Sequence, residues 1–483
     1  MKVRSYHETL QPMQTHSPTT HIQIAIEGCC HGELDAIYGE IARLERENGY
    51  KVDLLLICGD FQAIRNHRDL ACMAVPDKYK KLGGFAKYYA GEATAPVLTL
   101  VIGGNHEASN YFWELYHGGW LAPNIYFLGH AGCVQVNGVR IAGASGIFKP
   151  GDFHLGYYER PPYNHGTMRS IYHIREYNIC RLSLLSSPTI FLSHDWPQGI
   201  EHHGNLRDLL RRKPYFREDI NKGVLGSPPM MSLMRTLQPA WWFSAHLHCR
   251  FEAVVVHGGC QEGGAPDSAP VHSTERTNPD EINIDDDEDS ANSCTTASGA
   301  GQRSVEKPGT AALNPDEITL DDEEDEVEAP PPPPPPSKKT QFLALDKCLP
   351  KRRFLEVIDV DAPPGPPVLS LDPEWLAITR AFNQYMSIER KQCTYPDEDH
   401  AREAVQQSLE WINAHVLVGK EGGHLKVEDV QQFSMTAPGP ASDEPKTPPP
   451  YYPNPQTAAF CSLLQIENKV DFPTAAGSGP GRS

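Results

Sequence analysis

The sequence predicts an α/β fold for the first half of the chain. Short β-rich runs recur from residue 22 to residue 244, and helix-like stretches separate the first of them. Several runs are apolar at nearly every position, as expected for a sheet that is covered on both faces. Each run ends in a cluster of polar residues, and open α/β sheets carry their function at such strand ends. We therefore expect the functional residues to lie where the strands end.

The predicted strands follow one another in a regular order. They occupy residues 22–26, 52–58, 97–102, 139–142, 189–192 and 240–244. Residues 33–48, between the first two strands, place Leu34, Ile37, Ile41 and Leu44 on one face, which is the spacing of an amphipathic helix.

Composition divides the chain into five segments. Residues 1–20 form an N-terminal extension that we expect to be disordered, and residues 21–260 form the main α/β domain. Residues 261–340 are acidic, rich in Ser, Thr, Gly and Pro, and contain seven consecutive prolines, so we expect a disordered linker. Two strand-like runs and two helices predict a small C-terminal domain over 341–420. Residues 421–483 are expected to be a flexible tail.

The net charge of −19 does not exclude a nucleic-acid substrate, because the charge is unevenly distributed. Residues 21–260 carry 23 basic and 22 acidic side chains, whereas residues 261–340 carry 5 and 20. The global sign therefore describes the linker rather than the domain that precedes it.

Three simple features bear on the location of the protein. No stretch approaches the roughly 20 consecutive apolar residues of a membrane span, so we expect no membrane association. The first twenty residues lack the apolar region of a secretory signal. The twelve cysteines show no regular spacing, which favours reduced thiols in a cytosolic or nuclear protein.

Five of the predicted strands end in residues that can bind metal ions. These residues are Cys29 and His31, Asp60, Asn105 with His106, His194, and His246 with His248. Thiolate, imidazole, carboxylate and amide oxygen are all metal ligands. A single histidine or a single Gly-Asp pair is more often structural, but two adjacent metals need about seven ligands, which only several converging strand ends can supply. The ordered series therefore predicts a dinuclear metal site.

The same series resembles the calcineurin-like metallophosphoesterase superfamily over residues 22–257. The resemblance implies an αββα sandwich. It also implies one metal held by Cys29, His31, Asp60 and His248, and a second held by Asp60, Asn105, His194 and His246. Asp60 would bridge the two metals, and His106 would contact the phosphate or protonate the leaving oxygen.

The first motif departs from the superfamily pattern, which has Asp where this chain has Cys29. Loss of one metal and of activity is one interpretation. The other is a change of metal preference, because a thiolate binds Zn²⁺ or Fe²⁺ well and Mg²⁺ or Ca²⁺ poorly. We expect Fe(II), Zn(II) or Mn(II). Cys30 should point to the opposite face and take no part.

Residues 28–34 read Gly-Cys-Cys-His-Gly-Glu-Leu, which resembles RNA lariat debranching enzymes. The resemblance continues through residues 103–109, 118–126 and 191–197, and resumes at 342–350. It implies hydrolysis of the 2′–5′ phosphodiester at the branch point of excised intron lariats, in the nucleus, with splicing or RNA-turnover proteins as possible partners.

The resemblance also implies that an insertion at residues 146–175 recognises branched RNA. Its aromatic and basic side chains are suited to stacking on bases and to meeting phosphates, although an ordinary packed loop has a similar composition. The candidate RNA contacts are Lys149, Tyr163, Asn164, Arg169, Tyr172 and His173.

Alternative functions remain open at this point. The chain could be a nucleotide phosphodiesterase or a protein phosphatase of the same superfamily, or a scaffold that binds RNA without cutting it. A second basic cluster at residues 207–217 is either a solvated face or a phosphate track. The linker contains a tandem repeat at 278–287 and 314–323, whose short β-prone cores with acidic flanks resemble SUMO-interacting motifs.

Overall fold

Two β-sheets of six and eight strands form the frame of the protein. The computed structural model describes residues 21–258, 337–441 and 447–471, which belong to one compact unit. The expected N-terminal extension and nearly all of the expected linker, with its tandem repeat, lie outside the described residues.

The strands are short, and most of them are buried. In chain order they are β1 His21–Glu27, β2 Leu54–Ile57, β3 Leu98–Val101, β4 Gly119–Ala122, β5 Ile125–Phe127, β6 Ala131–Val136, β7 Val139–Ala144, β8 Ile190–Ser193, β9 Trp241–Ser244, β10 Phe251–Val256, β11 Lys339–Ala344, β12 Leu355–Asp361, β13 Leu369–Leu371 and β14 Leu425–Lys426. The smaller sheet has the order β12-β1-β2-β3-β5-β4 and the larger one β10-β11-β9-β8-β7-β6-β13-β14.

The helices lie between the strands or follow them. They are α1 Leu34–Asn48, α2 Phe85–Tyr89, α3 Ser109–Glu114, α4 Pro150–Phe153, α5 Thr167–Ser170, α6 Glu176–Ser183, α7 Leu206–Arg212, α8 Phe216–Lys222, α9 Pro228–Leu237, α10 Pro373–Phe382, α11 Glu398–His415 and α12 Pro455–Leu464. As its spacing predicts, α1 buries Leu34, Ile37 and Ile41 in the same core as the β2 side chains, and it ends at Gly49 with a φ of 72°.

The central strands of both sheets run parallel. β1, β2, β3 and β5 are parallel in the smaller sheet, and β7, β8, β9 and β11 are parallel in the larger one. Parallel neighbours bring their carboxyl ends to one edge of the sheet, which is where the polar clusters follow β1, β2, β3, β8 and β9. The predicted α/β class is confirmed, with two mixed sheets.

The C-terminal region does more than pack beside the first domain. β11 lies between β10 and β9, β12 pairs with β1 along seven residues, and β13 extends the larger sheet next to β6. Because unpaired strand edges leave backbone N–H and C=O groups unsatisfied, these strands complete both sheets. The strand β11 also begins at Lys339, slightly before the expected end of the linker at 340.

The expectation of a flexible tail over 421–483 is wrong for most of the part that the structure describes. Helix α12 buries Phe460 and Leu464, and the indole Nε1 of Trp113 donates a hydrogen bond to the Val470 carbonyl at 3.1 Å. The Thr457 hydroxyl donates to the Glu114 carbonyl at 2.6 Å. The proline-rich composition concealed a segment that covers apolar surface of the main domain.

Two further structural observations concern the cysteines and the helices. All ten cysteines in the described part of the chain are free thiols. Within the described ranges, the helices are all too short or too polar to cross a bilayer.

Candidate metal centre and substrate surface

The seven predicted metal ligands come together where β1, β2, β3, β8 and β9 end. The sulfur of Cys29, one ring nitrogen each of His31 and His248, and a carboxylate oxygen of Asp60 all lie within 4.8 Å of one another. The Nε2 atoms of His31 and His248 are 3.2 Å apart. This group matches the first predicted metal site.

The second group surrounds the other oxygen of Asp60. The Nε2 atom of His194 lies 3.4 Å from Asp60 Oδ1 and 3.1 Å from Asn105 Oδ1. The ring of His246 lies 5.0 Å from that of His194, and its backbone N–H donates to Cys29 Sγ at 3.1 Å. On the opposite side, Asp60 Oδ2 is 3.4 Å from His31 Nε2. The two carboxylate oxygens of Asp60 therefore face the two ligand groups, as a bridging ligand requires.

The ring orientation of His194 is set by the backbone. Its Nδ1 atom lies 2.7 Å from the carbonyl oxygen of Cys58, so the proton is placed on Nδ1 and Nε2 is left with a lone pair. Nε2 is the atom that faces Asp60 and Asn105. Cys30 lies in the apolar core beneath α1, as expected for a residue that takes no part.

The backbone at these ligands is strained. The φ values of His31, Asp60, His246 and His248 are 46°, 48°, 61° and 46°. Residues other than glycine rarely adopt this left-handed backbone conformation. Such strain persists only where the surrounding structure imposes it, and it is concentrated at functional sites. Four strained residues in one cluster therefore indicate a site that is built for ligand geometry.

Two glycines allow the ligand loops to approach closely. A Cβ atom on Gly59 would collide with the imidazole of His194, and Gly59 has a φ of 107°. A Cβ atom on Gly104 would collide with the carboxylate of Asp60 and lie 2.5 Å from the Asp60 backbone nitrogen. Only glycine fits at these two positions.

Glu107 is a buried residue next to His106, and its residue type alone predicts no role for it. Its buried carboxylate accepts backbone N–H groups from Phe61 at 2.9 Å, Gln62 at 2.7 Å and Gly104 at 2.8 Å. Burial raises the pKa of Glu107 to about 7, although the three N–H donors oppose the shift. Glu107 thereby connects the loop that carries Asp60 to the loop that carries Asn105, a role that only its contacts reveal.

The protonation states suit metal binding. Burial lowers the pKa of His246 and of His248 to about 3, and for His248 the nearby positive charges of Lys347 and Lys213 act in the same direction. These imidazoles are therefore neutral ligands at pH 7. Burial opposes ionisation of Asp60, but the histidines around it outweigh that effect and hold its pKa well below the usual range.

Two of the ligands have pKa values above their usual range. Burial raises the pKa of the Cys29 thiol well above its usual value. Burial lowers the pKa of His194, but the charge of Asp60 and the hydrogen bonds to Asp60 and to the Cys58 carbonyl together raise it above its usual value. A proton on such a buried thiol or imidazole is displaced when a cation binds, and the group then becomes a ligand. The donor set therefore fits two divalent cations.

The predicted RNA-recognition insertion lies directly beside this centre. The Gly146 backbone N–H donates to the Gly103 carbonyl at 2.8 Å, and Gly103 N–H donates to Ser145 Oγ at 2.9 Å. Inside the insertion, a buried ion pair joins Arg175 to Glu159 at 2.6 Å. These contacts hold residues 146–175 in a defined position relative to Asn105 and His106.

The C-terminal region supports the same insertion. Gly156 N–H donates to the Arg390 carbonyl at 3.2 Å and Tyr157 N–H donates to the Ser387 carbonyl at 2.9 Å. Leu155 forms an antiparallel bridge with Lys391. Residues far apart in sequence therefore shape one surface.

The six candidate RNA contacts differ in their surroundings. Tyr172 is buried, and the Nδ1 atom of His173 lies 2.6 Å from Asp152 Oδ2. Asn164 is exposed, but its Oδ1 atom accepts the N–H groups of two residues that follow it. Arg169 donates to the His165 carbonyl at 3.2 Å, and Lys149 and Tyr163 are half-buried. Tyr172 and His173 therefore help to shape the insertion, while the other four lie at least partly at its surface.

Comparison with known proteins agrees with this geometry. Residues 22–250 match the family model of the calcineurin-like phosphoesterases, and residues 337–469 match that of the lariat debranching enzyme C-terminal domain.

Individual relatives align over most of the chain. The chain is 43% identical to the lariat debranching enzyme of Drosophila melanogaster over 463 residues, which cover 93% of this chain and 78% of the relative. It is 39% identical to that of Arabidopsis thaliana over 463 residues, covering 94% and 89%. It is 41% identical to that of Danio rerio over 454 residues, covering 92% of this chain but 66% of the relative. The chain thus spans about two thirds of the length of the Danio rerio relative.

Proposed function

Because the chain belongs to the lariat debranching enzyme family, we propose that it hydrolyses the 2′–5′ phosphodiester at the branch point of excised intron lariats. The products are linear RNA with a 5′-phosphate and a free 2′-hydroxyl. The observation that supports the reaction most strongly is the placement of Asp60, whose two oxygens face two separate groups of metal ligands.

The seven ligands would hold two metal ions, and His106 would contact the substrate. Two bound divalent cations supply charge that stabilises the phosphate and activates water. The backbone N–H of His106 donates to Asp60 Oδ1 at 2.9 Å, and its Nδ1 atom lies 3.9 Å from Asp60 Oδ2. Its side chain is 36% exposed, whereas those of His31, Asp60 and His194 are 11%, 2% and 0% exposed. An imidazole held in this way can donate a hydrogen bond to the phosphate or a proton to the departing 2′-oxygen.

The donor chemistry favours Fe(II) or Zn(II), with Mn(II) as a further usable ion. A sulfur ligand at Cys29 disfavours Mg²⁺ and Ca²⁺, which prefer oxygen. Because the Cys29 sulfur is buried within the ligand group, we assign it to the first metal.

The insertion is proposed to hold the branch. Lys149, Tyr163, Asn164 and Arg169 supply cationic, aromatic and amide groups near its surface, whereas Tyr172 and His173 hold its shape. This division follows from the burial of Tyr172 and from the contact between His173 and Asp152.

Two proposals concern the setting of the enzyme. We place it in the nucleus, where intron lariats are produced, with splicing or RNA-turnover proteins as partners. The tandem repeat of the linker is proposed to add a strand to a SUMO-like partner. An unchanged set of bound proteins after deletion of residues 276–328 would contradict the second proposal.

Cleavage of a synthetic 2′–5′ branched RNA tests the reaction. A matched linear 3′–5′ RNA serves as the substrate control, and Fe²⁺, Zn²⁺ or Mn²⁺ is added to metal-free protein. We expect cleavage of the branch alone, lost in the Asn105→Ala/His106→Ala variant. Cleavage of linear RNA or of nucleotides would indicate a different phosphoesterase. Binding of branched RNA without cleavage, by protein that has taken up metal, would indicate a scaffold.

A further inference from the structure

A cleft of about 630 Å³ opens beside the metal centre. Its walls are the end of α7, the beginning of β10 and the turn that follows β11. His248 is one of its lining residues, so the cleft begins at a metal ligand. Its volume lies in the range of ordinary ligand-binding clefts.

The lining of the cleft is strongly basic. Its charged side chains comprise six cationic and three anionic residues, namely Arg212, Lys213, Arg250, Lys351, Arg352 and Arg353, and Asp208, Glu252 and Asp346. An excess of positive charge in a concave surface attracts polyanions.

Two of the cations are already neutralised. Arg212 donates to Asp208 Oδ2 at 2.9 Å and to the Arg250 carbonyl at 2.8 Å, and Arg250 is 3.1 Å from Glu356. These pairs build the wall rather than leave a charge for a ligand.

The other four cations face the cleft with little or no compensation. The carboxylate of Asp346 lies 4.0 Å from Arg352, the outer limit of an ion pair. Lys213, Lys351 and Arg353 have no carboxylate within that distance among the residues that the structure describes. Four cations are therefore available to an anionic ligand, and two of them are arginines, which bind phosphate in a bidentate manner.

The turn that carries three of these cations is attached to the metal centre. Its Cys348 backbone N–H donates to the Cys29 carbonyl at 3.1 Å, and Lys347 forms a parallel bridge with Cys29. Lys351 in this turn has a φ of 64°, a strained conformation for a lysine. The position of the basic turn is thus set relative to the first metal ligand.

The cleft and the insertion reach the centre through different loops. The insertion is bonded to the loop after β3, through Gly103 and Gly146, whereas the cleft borders the loop after β9, through His248. A branched RNA has three strands that leave one nucleotide, so two surfaces that reach the centre through different loops can hold different strands.

We propose that this cleft holds the phosphate backbone of one RNA strand that leaves the branch nucleotide. The inference rests on the proposed debranching function and adds a second substrate surface to it. An RNA strand fits better than an acidic protein segment, because the cleft is continuous with a centre that acts on a phosphodiester.

The test compares two triple variants with the same change of charge. The cleft variant is Lys213→Gln/Arg352→Gln/Arg353→Gln. The control variant is Arg207→Gln/Arg211→Gln/Arg217→Gln. It removes three exposed cations of α7 and α8 that do not line the cleft. Each is assayed with a branched RNA that has one nucleotide on every arm and with one that has ten. Metal content and Tm show whether either variant is misfolded.

We expect the cleft variant to raise KM for the long-armed RNA roughly tenfold at unchanged kcat, with no effect on the short-armed RNA. The slope of log KM against log salt should fall by about 2, because each phosphate contact on a single strand contributes about 0.7. The control variant should behave like the unaltered protein.

Three outcomes would overturn the inference. If the unaltered protein cuts both RNAs and the cleft variant behaves like the control, the cleft holds no RNA and the debranching function still stands. If the cleft variant cuts both RNAs like the unaltered protein but has lost affinity for a synthetic acidic peptide of residues 314–328, the cleft binds a protein segment. If the unaltered protein cuts neither branched RNA, the debranching function fails and the inference fails with it.

Discussion

Replacement of Gly104 by alanine should disable the metal centre while leaving the fold in place. The added Cβ atom would overlap the carboxylate of Asp60, lie 2.5 Å from the Asp60 backbone nitrogen and lie 2.8 Å from Cε1 of His194. Non-bonded atoms prefer about 3.5–4.0 Å, so relief requires a shift of about 1 Å. Two of the three contacts are with Asp60, including its backbone, so the bridging ligand itself must move.

The expected losses of stability, metal affinity and activity follow from the cost of overpacking and from the displacement of a metal ligand. Forcing an extra methyl group into a packed site costs about 1–3 kcal/mol of unfolding free energy. Displacement of Asp60 by about 1 Å should lower the metal affinity at least 10–100-fold, as loss of supporting contacts does at other metal sites. It should lower the cleavage rate about 100-fold.

The matched control is Gly39→Ala. Gly39 lies in α1, is exposed, and has nothing within 4 Å of the added Cβ atom. This variant should be about 0.5–1 kcal/mol more stable, because alanine has less freedom to lose on folding into a helix.

The assay measures thermal unfolding of both metal-free variants, then the metal content after reloading and the rate of branch cleavage. Unchanged metal affinity and activity in Gly104→Ala would refute the reasoning, since they would show that the loops after β2 and β3 need not approach as closely as the structure indicates.

Three further predictions concern protonation, the insertion and the tail. Loading the metal-free protein at pH 6.5 should release about one proton more than loading the Cys29→Ser variant, because the thiol is protonated until a metal displaces its proton whereas the serine hydroxyl keeps its proton. The affinity of the unaltered protein should therefore rise more steeply with pH between 6 and 8, and equal proton release in titrations of both proteins would exclude Cys29 as a ligand. Glu159→Ala leaves the charge of Arg175 buried without a partner and should lower the free energy of unfolding by about 3–5 kcal/mol. Trypsin should then cleave faster within residues 146–175, and an unchanged digestion pattern would contradict the predicted role of the ion pair. Phe460→Ala should cost about 3–5 kcal/mol in denaturant unfolding, and a change below about 0.5 kcal/mol would mean that α12 is detached.

The ligand set could be predicted from sequence because each ligand follows a strand directly. The side chains of Cys29, Asp60 and His194 leave the ends of parallel strands, and parallel strands must end at the same edge. The identity of the donors then indicated metal chemistry without any knowledge of distances.

The supporting residues could not be predicted in the same way. Glu107 looks like an ordinary acidic residue in the sequence, and only the structure shows that three backbone N–H groups converge on it. The burial of Tyr172 and the contact of His173 with Asp152 were equally hidden, because the sequence reads the same whether such a residue packs inside the protein or binds a substrate.

The sequence by itself determined the fold class, the candidate metal ligands and the acidic segment, because these depend on residue type and short spacing. Only the tertiary structure decided which distant segments meet. It placed β11 between β9 and β10, packed α12 on the main domain, and brought the basic turn at Arg352 next to the cations of α7. Such pairings arise from strand edges and apolar faces that need a partner, and nothing local in the chain names that partner.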